Sequence, residues 1–391
     1  MLLWIIIPLY LLGLGLLFFR CRGWLAEHWP GLPRGWKIAA TAVYVTLALS
    51  PLVAFMLPVS AFQRTVKGVY NLWLGALYVA GLLFFIVEIL GFLFRLISRR
   101  SEKLRRQRRR LFKRLGVAAV CLFPVIFGLG LHQAAAVRLT AYQVQSEEQA
   151  LKGLRIALIS DLHLGANVGL EQTQKVVDLV KAAHPDLVVI AGDIIDNDYG
   201  DITSPEKIAE VLRQLDGRYG VYACLGNHDV TQRLLGGFTV SDVTTPHADQ
   251  RLYAFLESAG ITLLSDEVRL VDDRFYLAGR KDYAKPEDGV PRQRPEALLS
   301  GLTADKPVVV IDHEPRELSE LAAVGADLDL SGHTHDGQVF PGNLMLGMKW
   351  KNPCGVKQFG DMTSVVTSGA GTWGPAIRMG TASEVVVVEV E

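Results

Sequence analysis

The sequence predicts an α/β fold, two sheets packed as a sandwich between helices, preceded by a four-helix transmembrane region. Three observations predict it. Four apolar runs crowd the first 131 residues. From residue 155 onward, short apolar stretches alternate with stretches of helical spacing. The apolar stretches stop at loops rich in Asp, His, Asn and Gly, the pattern of buried strands with polar groups at their carboxyl ends. The alternation weakens mid-chain, so a single doubly wound sheet fits less well than two sheets.

The apolar runs cover residues 2–19, 38–62, 69–94 and 115–131, and residues 1–144 are taken as the transmembrane region. Each run reaches the roughly 17–25 residues that a helix needs to cross hydrocarbon. A buried core helix explains one such run, not four in succession. Run one lacks the basic start and A-x-A-like cleavage site of a signal peptide, so it reads as a retained helix. Glu88 falls inside the third run, where a carboxylate either faces a polar path or reaches the interface.

The chain has 391 residues and formal net charge +0, with 50% hydrophobic and 20% charged residues. That composition excludes a disordered chain, and four Cys are too few for a disulfide scaffold. The neutral total hides an asymmetry. Residues 95–114 are +10 and residues 145–391 are −15. Basic loops face the cytoplasm, so the 95–114 segment and the 20–37 loop, with Arg20, Arg22, Arg34 and Lys37, are expected inside. The short loop with Arg64 and Lys67 then faces out, and the 145–391 domain is extracytoplasmic, held at the cell membrane by the spans. A basic run between two spans suits topology and anionic membrane lipids better than nucleic acid. The acidic domain also argues against nucleic acid, because basic residues track phosphates.

Within 145–391, strands are expected at 155–159, 187–191, 221–225, 262–264, 268–271, 275–278, 308–312, 328–331, 364–367 and 384–390. Helices are expected at 170–183, 205–215, 253–259 and 317–324. The second of these opens with Ser204 as N-cap and Pro205 in the first turn.

Five polar clusters close successive strands: Asp161-Leu162-His163, Gly192-Asp193, Gly226-Asn227-His228-Asp229, Asp312-His313-Glu314 and Gly332-His333-Thr334-His335. Alternate positions such as Asp161/His163 and His333/His335 fall on one side of an extended segment. Carboxylate, imidazole and amide donors together suit divalent metals. A bridging carboxylate can hold two ions about 3.5–4 Å apart, the spacing used in phosphoester displacement. Taken singly, Gly-Asp is weak and Asn-His-Asp can cap a turn. Their ordered combination points to a metal site. Cys224 falls in a strand and Cys354 has no supporting context, so neither reads as a nucleophile.

In these ordered motifs, D-x-H, G-D-x-x-D, G-N-H-D, H and G-H-x-H, the chain resembles the calcineurin-like metallophosphoesterase superfamily over roughly residues 150–391. The stretches Ser160-Asp161-Leu162-His163-Leu164-Gly165 and Gly371-Thr372-Trp373-Gly374-Pro375 are similar to its membrane-anchored bacterial branch. The resemblance implies a four-layer α/β/β/α sandwich with two divalent ions, of the set Mn, Fe, Zn, Co or Mg. It implies Asp161, His163 and His335 as ligands of one metal, Asn227, His313 and His333 of the other, and Asp193 as the bridge. His228 then acts on the scissile phosphate and the leaving oxygen, with Asp196 orienting it. Water activated between the metals attacks phosphorus in line, without a covalent enzyme intermediate. Asp336 departs from the branch, which often has Gly there. An added carboxylate beside the site bears on metal preference and on anionic substrates.

The implied activity is metal-dependent phosphoester hydrolysis, with phosphatase, phosphodiesterase and nuclease chemistry open within the fold. A metal-binding sensor and a transport-linked membrane protein are the alternatives from other classes. His228 with Asp196 disfavours the sensor, and only Glu88 speaks for transport. Residues 344–350, with two Met, Trp350 and following Lys351, suggest a lip at the bilayer interface and a lipid-linked or amphiphilic substrate. Trp373 and Ile377 extend that lip. The other reading sends Leu344, Leu346 and Met348 into the sandwich core.

Overall fold

The computed structural model describes residues 3–98, 102–232, 234–235, 238–239 and 247–391. Arg99 and Arg100, part of the basic run, lie outside the described residues. Four long helices lead the chain: α1 (Leu3–His28), α2 (Arg34–Met56), α3 (Ala61–Ile97) and α4 (Glu102–Ala135). All four are long and apolar enough to cross a membrane. The second apolar run, expected to continue to residue 62, is cut at Met56. Leu57 precedes Pro58 and is extended (φ −76°, ψ 144°), as the proline ring demands of its predecessor. Ser60 then caps α3, its hydroxyl accepting from the Gln63 N–H at 3.2 Å. Arg64 and Lys67 therefore stand in the first turns of α3, not in a loop.

Glu88 meets Arg20 of α1, whose guanidinium donates to both carboxylate oxygens at 2.7 and 2.6 Å. It ties two helices together.

The sandwich then follows in chain order. Its elements are β1 (Arg138–Val144), β2 (Arg155–Ile159), α5 (Leu170–Ala183), β3 (Leu187–Ala191), α6 (Pro205–Leu212), β4 (Val221–Cys224) and the short pair β5 (Leu234–Leu235) and β6 (Phe238–Thr239). Next come α7 (Gln250–Ser258), β7 (Thr262–Leu263), β8 (Glu267–Val271), β9 (Phe275–Gly279), α8 (Pro295–Leu298), β10 (Val308–Ile311), α9 (Leu318–Ala323) and β11 (Leu328–Ser331). The chain closes with α10 (Gly342–Met345), β12 (Gly355–Phe359), β13 (Met362–Val366) and β14 (Glu384–Val390). Two six-stranded sheets form, in the orders β1-β14-β2-β3-β4-β7 and β12-β13-β11-β10-β9-β8.

Period-two alternation sorts the side chains into layers. Ile156, Leu158 and Val189 of the first sheet share one buried cluster with Leu277, Ile311 and Leu330 of the second, which is the core between the sheets. The intervening Ala157, Ile159, Val188 and Ile190 pack outward on Val176, Val180, Ile208 and Phe255 of α5, α6 and α7. On the far side, Ala278, Val308 and Val310 pack on Leu298, Leu318 and Leu321 of α8 and α9. The result is a four-layer α/β/β/α sandwich.

Strand β1 lies inside the 1–144 segment, yet it pairs with β14 along all seven residues, so the first sheet begins directly after α4. Ser204 starts α6 with φ 57° and no side-chain cap, and Pro205 alone supplies the start signal. The cap appears instead on α7, where Asp249 accepts from the Arg251 N–H at 2.9 Å.

The sandwich sits on one end of the bundle. Ile377, fully buried, packs with Val79 and Leu83 of α3 and Phe127 of α4. The Arg378 N–H donates to the Gly130 carbonyl at 3.0 Å. Tyr78 donates from its hydroxyl to the Phe340 carbonyl at 2.7 Å.

Candidate metal centre

Every metal-type side chain expected from the sequence lies just beyond a strand end: Asp161 and His163 after β2, Asp193 after β3, Asn227 and His228 after β4, His313 after β10, His333 and His335 after β11. The two sheets bring these ends together. Asp161, His163 and His335 offer ligand atoms within 4.8 Å of one another, and so do Asp193, His313 and His333.

The first group is tight. The Nε2 atoms of His163 and His335 are 3.0 Å apart, and His335 Nε2 is 3.3 Å from Asp161 Oδ1. Ser160 Oγ and the His333 N–H occupy Asp161 Oδ2, at 2.7 and 2.9 Å. Asp161 Oδ1 stays buried with no hydrogen-bond partner. An orphaned carboxylate oxygen beside two converging imidazole nitrogens is costly unless a cation shares them. The residues therefore fit a divalent ion.

In the second group, His313 Nε2 lies 3.2 Å from Asp193 Oδ2, 3.2 Å from Asn227 Oδ1 and 3.1 Å from His333 Nδ1. His313 Nδ1 donates to the Ala191 carbonyl at 2.9 Å, which turns Nε2 toward the site. Asp193 also reaches the first group, with Oδ2 at 3.7 Å from His163 Nε2. It stands between the two sets.

The backbone is bent to make this convergence. Asp161, His163, Asp193, His333 and His335 all have positive φ, between 48° and 70°. Non-glycine residues rarely adopt that conformation, and it clusters at functional sites. Close approach needs glycine at Gly192 (φ 75°), where a Cβ would fall 2.6 Å from His313 Nδ1.

Burial and mutual charge set the protonation. Burial alone pushes Asp193 up, but His313, His228 and His163 outweigh it and hold the carboxyl well below its usual range. Asp196 is likewise held low by His163 and His228 against its burial. Burial raises Asp161. His333 and His335 are pushed well below the ordinary imidazole value by burial, which keeps the rings neutral and able to bind metal. His163 and His313 go up despite burial, each because of carboxylates: Asp196 first for the one and Asp193 for the other.

His228 stands at the rim. Its Nδ1 is 3.3 Å from Asp196 Oδ1 and also meets the Asn197 side-chain amide. Its backbone N–H donates to Asp193 Oδ1 at 2.7 Å. The sequence carried no sign of Asn197 or of Arg378 as supports, whereas Asp229 belongs to the Asn-His-Asp cluster expected to be able to cap a turn. Asp229 accepts from the N–H groups of Ile195 and Gly226 at 2.9 and 2.8 Å, shaping the Asn227-His228 turn. Buried Arg378 donates to the His335 carbonyl at 3.2 Å and to the Ser368 and Gly371 carbonyls at 2.6 and 2.8 Å.

Asp336 follows His335 in the chain but is absent from both ligand groups. Cys224 is buried, and burial drives its thiol well above the ordinary value. Burial also pushes Cys354 up to about 12.

Residues 154–337 match the calcineurin-like phosphoesterase family. The chain carries a calcineurin-like metallophosphoesterase domain. A transmembrane protein with a metallophosphoesterase domain from Danio rerio is 31% identical over 256 residues, covering 62% of this chain and 54% of its own. An uncharacterized metallophosphoesterase of Campylobacter jejuni is 28% identical, covering 61% of this chain and 60% of its own. Another from Aquifex aeolicus is 28% identical, covering 65% and 92%. A solved structure from Thermus thermophilus, TT1561, aligns with 57% of this chain and 93% of its own at 14% identity and a TM-score of 0.36. The chain thus spans 54% and 60% of the lengths of the first two relatives. Four apolar helices and relatives named as transmembrane proteins mark this chain as a membrane protein.

Proposed function

We propose that this protein is a membrane-anchored, metal-dependent phosphohydrolase. The observation that carries the reading is the convergence of two ligand groups around Asp193, with the orphaned Asp161 Oδ1 between converging imidazoles. Asp161, His163 and His335 would hold one ion, Asn227, His313 and His333 a second, and Asp193 would be shared. Two divalent ions there would supply Lewis acidity, making water acidic enough to attack phosphorus near neutral pH and offsetting phosphoryl charge. The chain's own residues do the rest. Low-lying Asp193 brings a full negative charge, and neutral His333 and His335 bring free lone pairs. Asp196 and Asn197 engage His228 at Nδ1, leaving Nε2 to hand a proton to the leaving oxygen.

The test is hydrolysis by the full chain reconstituted with Mn, Zn or Mg, on phosphomonoesters and phosphodiesters including lipid head groups. Metal-dependent turnover of at least one class is expected. Metal binding with no turnover on any class would favour a sensor.

We read the catalytic domain as extracytoplasmic. It packs on the bundle end where α2 stops and α3 starts, whereas Arg95, Lys113 and Arg114 belong to the other end. Lys113 there lies over the Trp29 ring of the short α1–α2 connection, 5.7 Å from its centroid, and the bases expected in a 20–37 loop stand in the flanking helices, Arg20 and Arg22 in α1, Arg34 and Lys37 in α2. A reporter fused after Glu391 is expected to be active only outside the cytoplasm.

Lipid-linked substrate is the finer reading. About 20 residues back from Arg95, the roughly 30 Å of a hydrocarbon core, is Gly75. Gly75 lies against Ile377. The adjoining 340–348 segment is then at the bilayer boundary, and it exposes Leu344 (70%), Met345 (56%) and Met348 (77%) rather than sending them into the core. Trp350 differs from the expected lip: it is 6% exposed and packs on His333, ring centroids 5.1 Å apart. Ile377 is also buried, against α3 and α4. The lip is therefore Leu344, Met345 and Met348.

A further inference from the structure

The geometry points to α3 as a working part of the hydrolytic centre: Lys67, through Asp201, is a positioning residue for the loop that orients His228. The loop in question runs from Asp196 to Asp201. At one end Asp196 and Asn197 hold the His228 ring. The backbone joins in, as the Asn197 N–H donates to the His228 carbonyl at 2.8 Å. At the other end the loop is gripped by the transmembrane helix. Lys67 forms an ion pair with Asp201, and both side chains are largely buried, 17% and 5% exposed. Arg64 donates to the Gly200 carbonyl at 3.0 Å. The Gln63 amide, turned to satisfy both neighbours, donates to Asp201 Oδ1 at 3.3 Å and accepts from Lys67 Nζ at 3.2 Å.

Only four residues lie between Asp196 and Asp201, and a cavity of about 90 Å³ beside them is lined by Gln63, Lys67 and Tyr70 from the bundle and Asp196, Asn197 and Asp198 from the loop. Burial pushes the Asp201 carboxyl up to about 6, and Lys67 is the main counterweight. Removing Lys67 would leave a buried carboxyl without its partner, a costly arrangement that the loop relieves by moving. Movement there carries Asp196 and Asn197, and with them the angle of His228. The anchor and the catalytic domain are thus one device. Proximity effects make a displacement of about 1 Å worth up to roughly 100-fold in rate.

The kinetic arm of the test rests on the hydrolase reading, and the exchange arm does not. Full-length Lys67→Met and Lys67→Arg proteins are prepared in nanodiscs, loaded with Mn²⁺, and assayed on p-nitrophenyl phosphate and bis-p-nitrophenyl phosphate. Hydrogen exchange by mass spectrometry follows residues 195–202 and 226–230. Lys67→Met is expected to lower kcat roughly 10-fold, keep KM within about twofold, retain its metal, and speed exchange in both segments. Lys67→Arg restores both readouts. Parental exchange in Lys67→Met would overturn the inference, whatever the rate. If the parent hydrolyses neither ester, the hydrolase reading suffers, and exchange alone decides the clamp. Should Lys67→Met not accumulate, Asp201→Asn breaks the same pair while keeping its hydrogen-bonding capacity.

Discussion

At one end of α3, Glu88 meets Arg20 of α1; at the other, Lys67 meets Asp201 of the sandwich. The first pair is 57% and 31% exposed and joins two helices of the bundle. The second is largely buried and joins the bundle to a loop whose other end holds His228. The same helix is therefore scaffold at its basic end and site support at its sandwich end. Reach decides the difference: the first pair touches only the bundle, whereas a buried pair at the joint cannot lose one member without rearrangement of the loop it holds.

Four variants sharpen this contrast. The largest effect belongs to the centre that the Lys67 end serves. His228→Ala is expected to keep its metal and lose about 10²–10⁴-fold in turnover. Equal loss of metal and rate would make His228 a ligand instead. Next is the joint itself. Ile377→Ala removes a fully buried side chain between α3 and α4 and should cost about 2–5 kcal/mol. The readout is the sandwich's thermal unfolding in detergent, with Leu90→Ala, on the exposed face of α3, as the small-effect control. A smaller, selective effect is expected at the lip. Met345→Ser with Met348→Ser should reduce turnover of a vesicle-embedded phosphoester roughly fivefold more than of a soluble one, about 1 kcal/mol of lost apolar contact for the pair. Equal loss on both would remove the lipid reading. Smallest is Glu88→Gln, expected to leave turnover within about twofold, because its partner Arg20 lies in the bundle and not in the sandwich. A large loss there would return a proton path through the bundle to consideration.

The parts of this arrangement were unequally legible in the sequence. The ligand residues stood out because strand ends concentrate their chemistry into adjacent letters, as in Asp161-Leu162-His163 and His333-Thr334-His335. Helix 170–183 and strands 187–191 and 384–390 have the expected bounds, since composition changes abruptly at each end. Edge strands were harder. β12 is mixed in exposure without alternation, and β1 alternates in burial from Leu139 to Val144 but turns apolar Leu139 and Ala141 outward and Thr140 inward, and it pairs with β14, Arg138 opposite Glu384. Supports such as Asn197, Arg378 and Lys67 had no local signal at all. Their partners lie 31, 43 and 134 residues off, and only the fold makes them neighbours. Trp350 was misplaced for a related reason: an apolar residue beside Lys reads as interfacial until the His333 ring that covers it is known.

Asp193 stands between two groups of metal-type side chains, and the proposed hydrolysis depends on it. The most direct test is Asp193→Asn in the full chain, with metal content measured by elemental analysis alongside phosphoester turnover. A folded protein with reduced metal content and no detectable turnover is expected. Parental hydrolysis by a metal-free Asp193→Asn protein would contradict it.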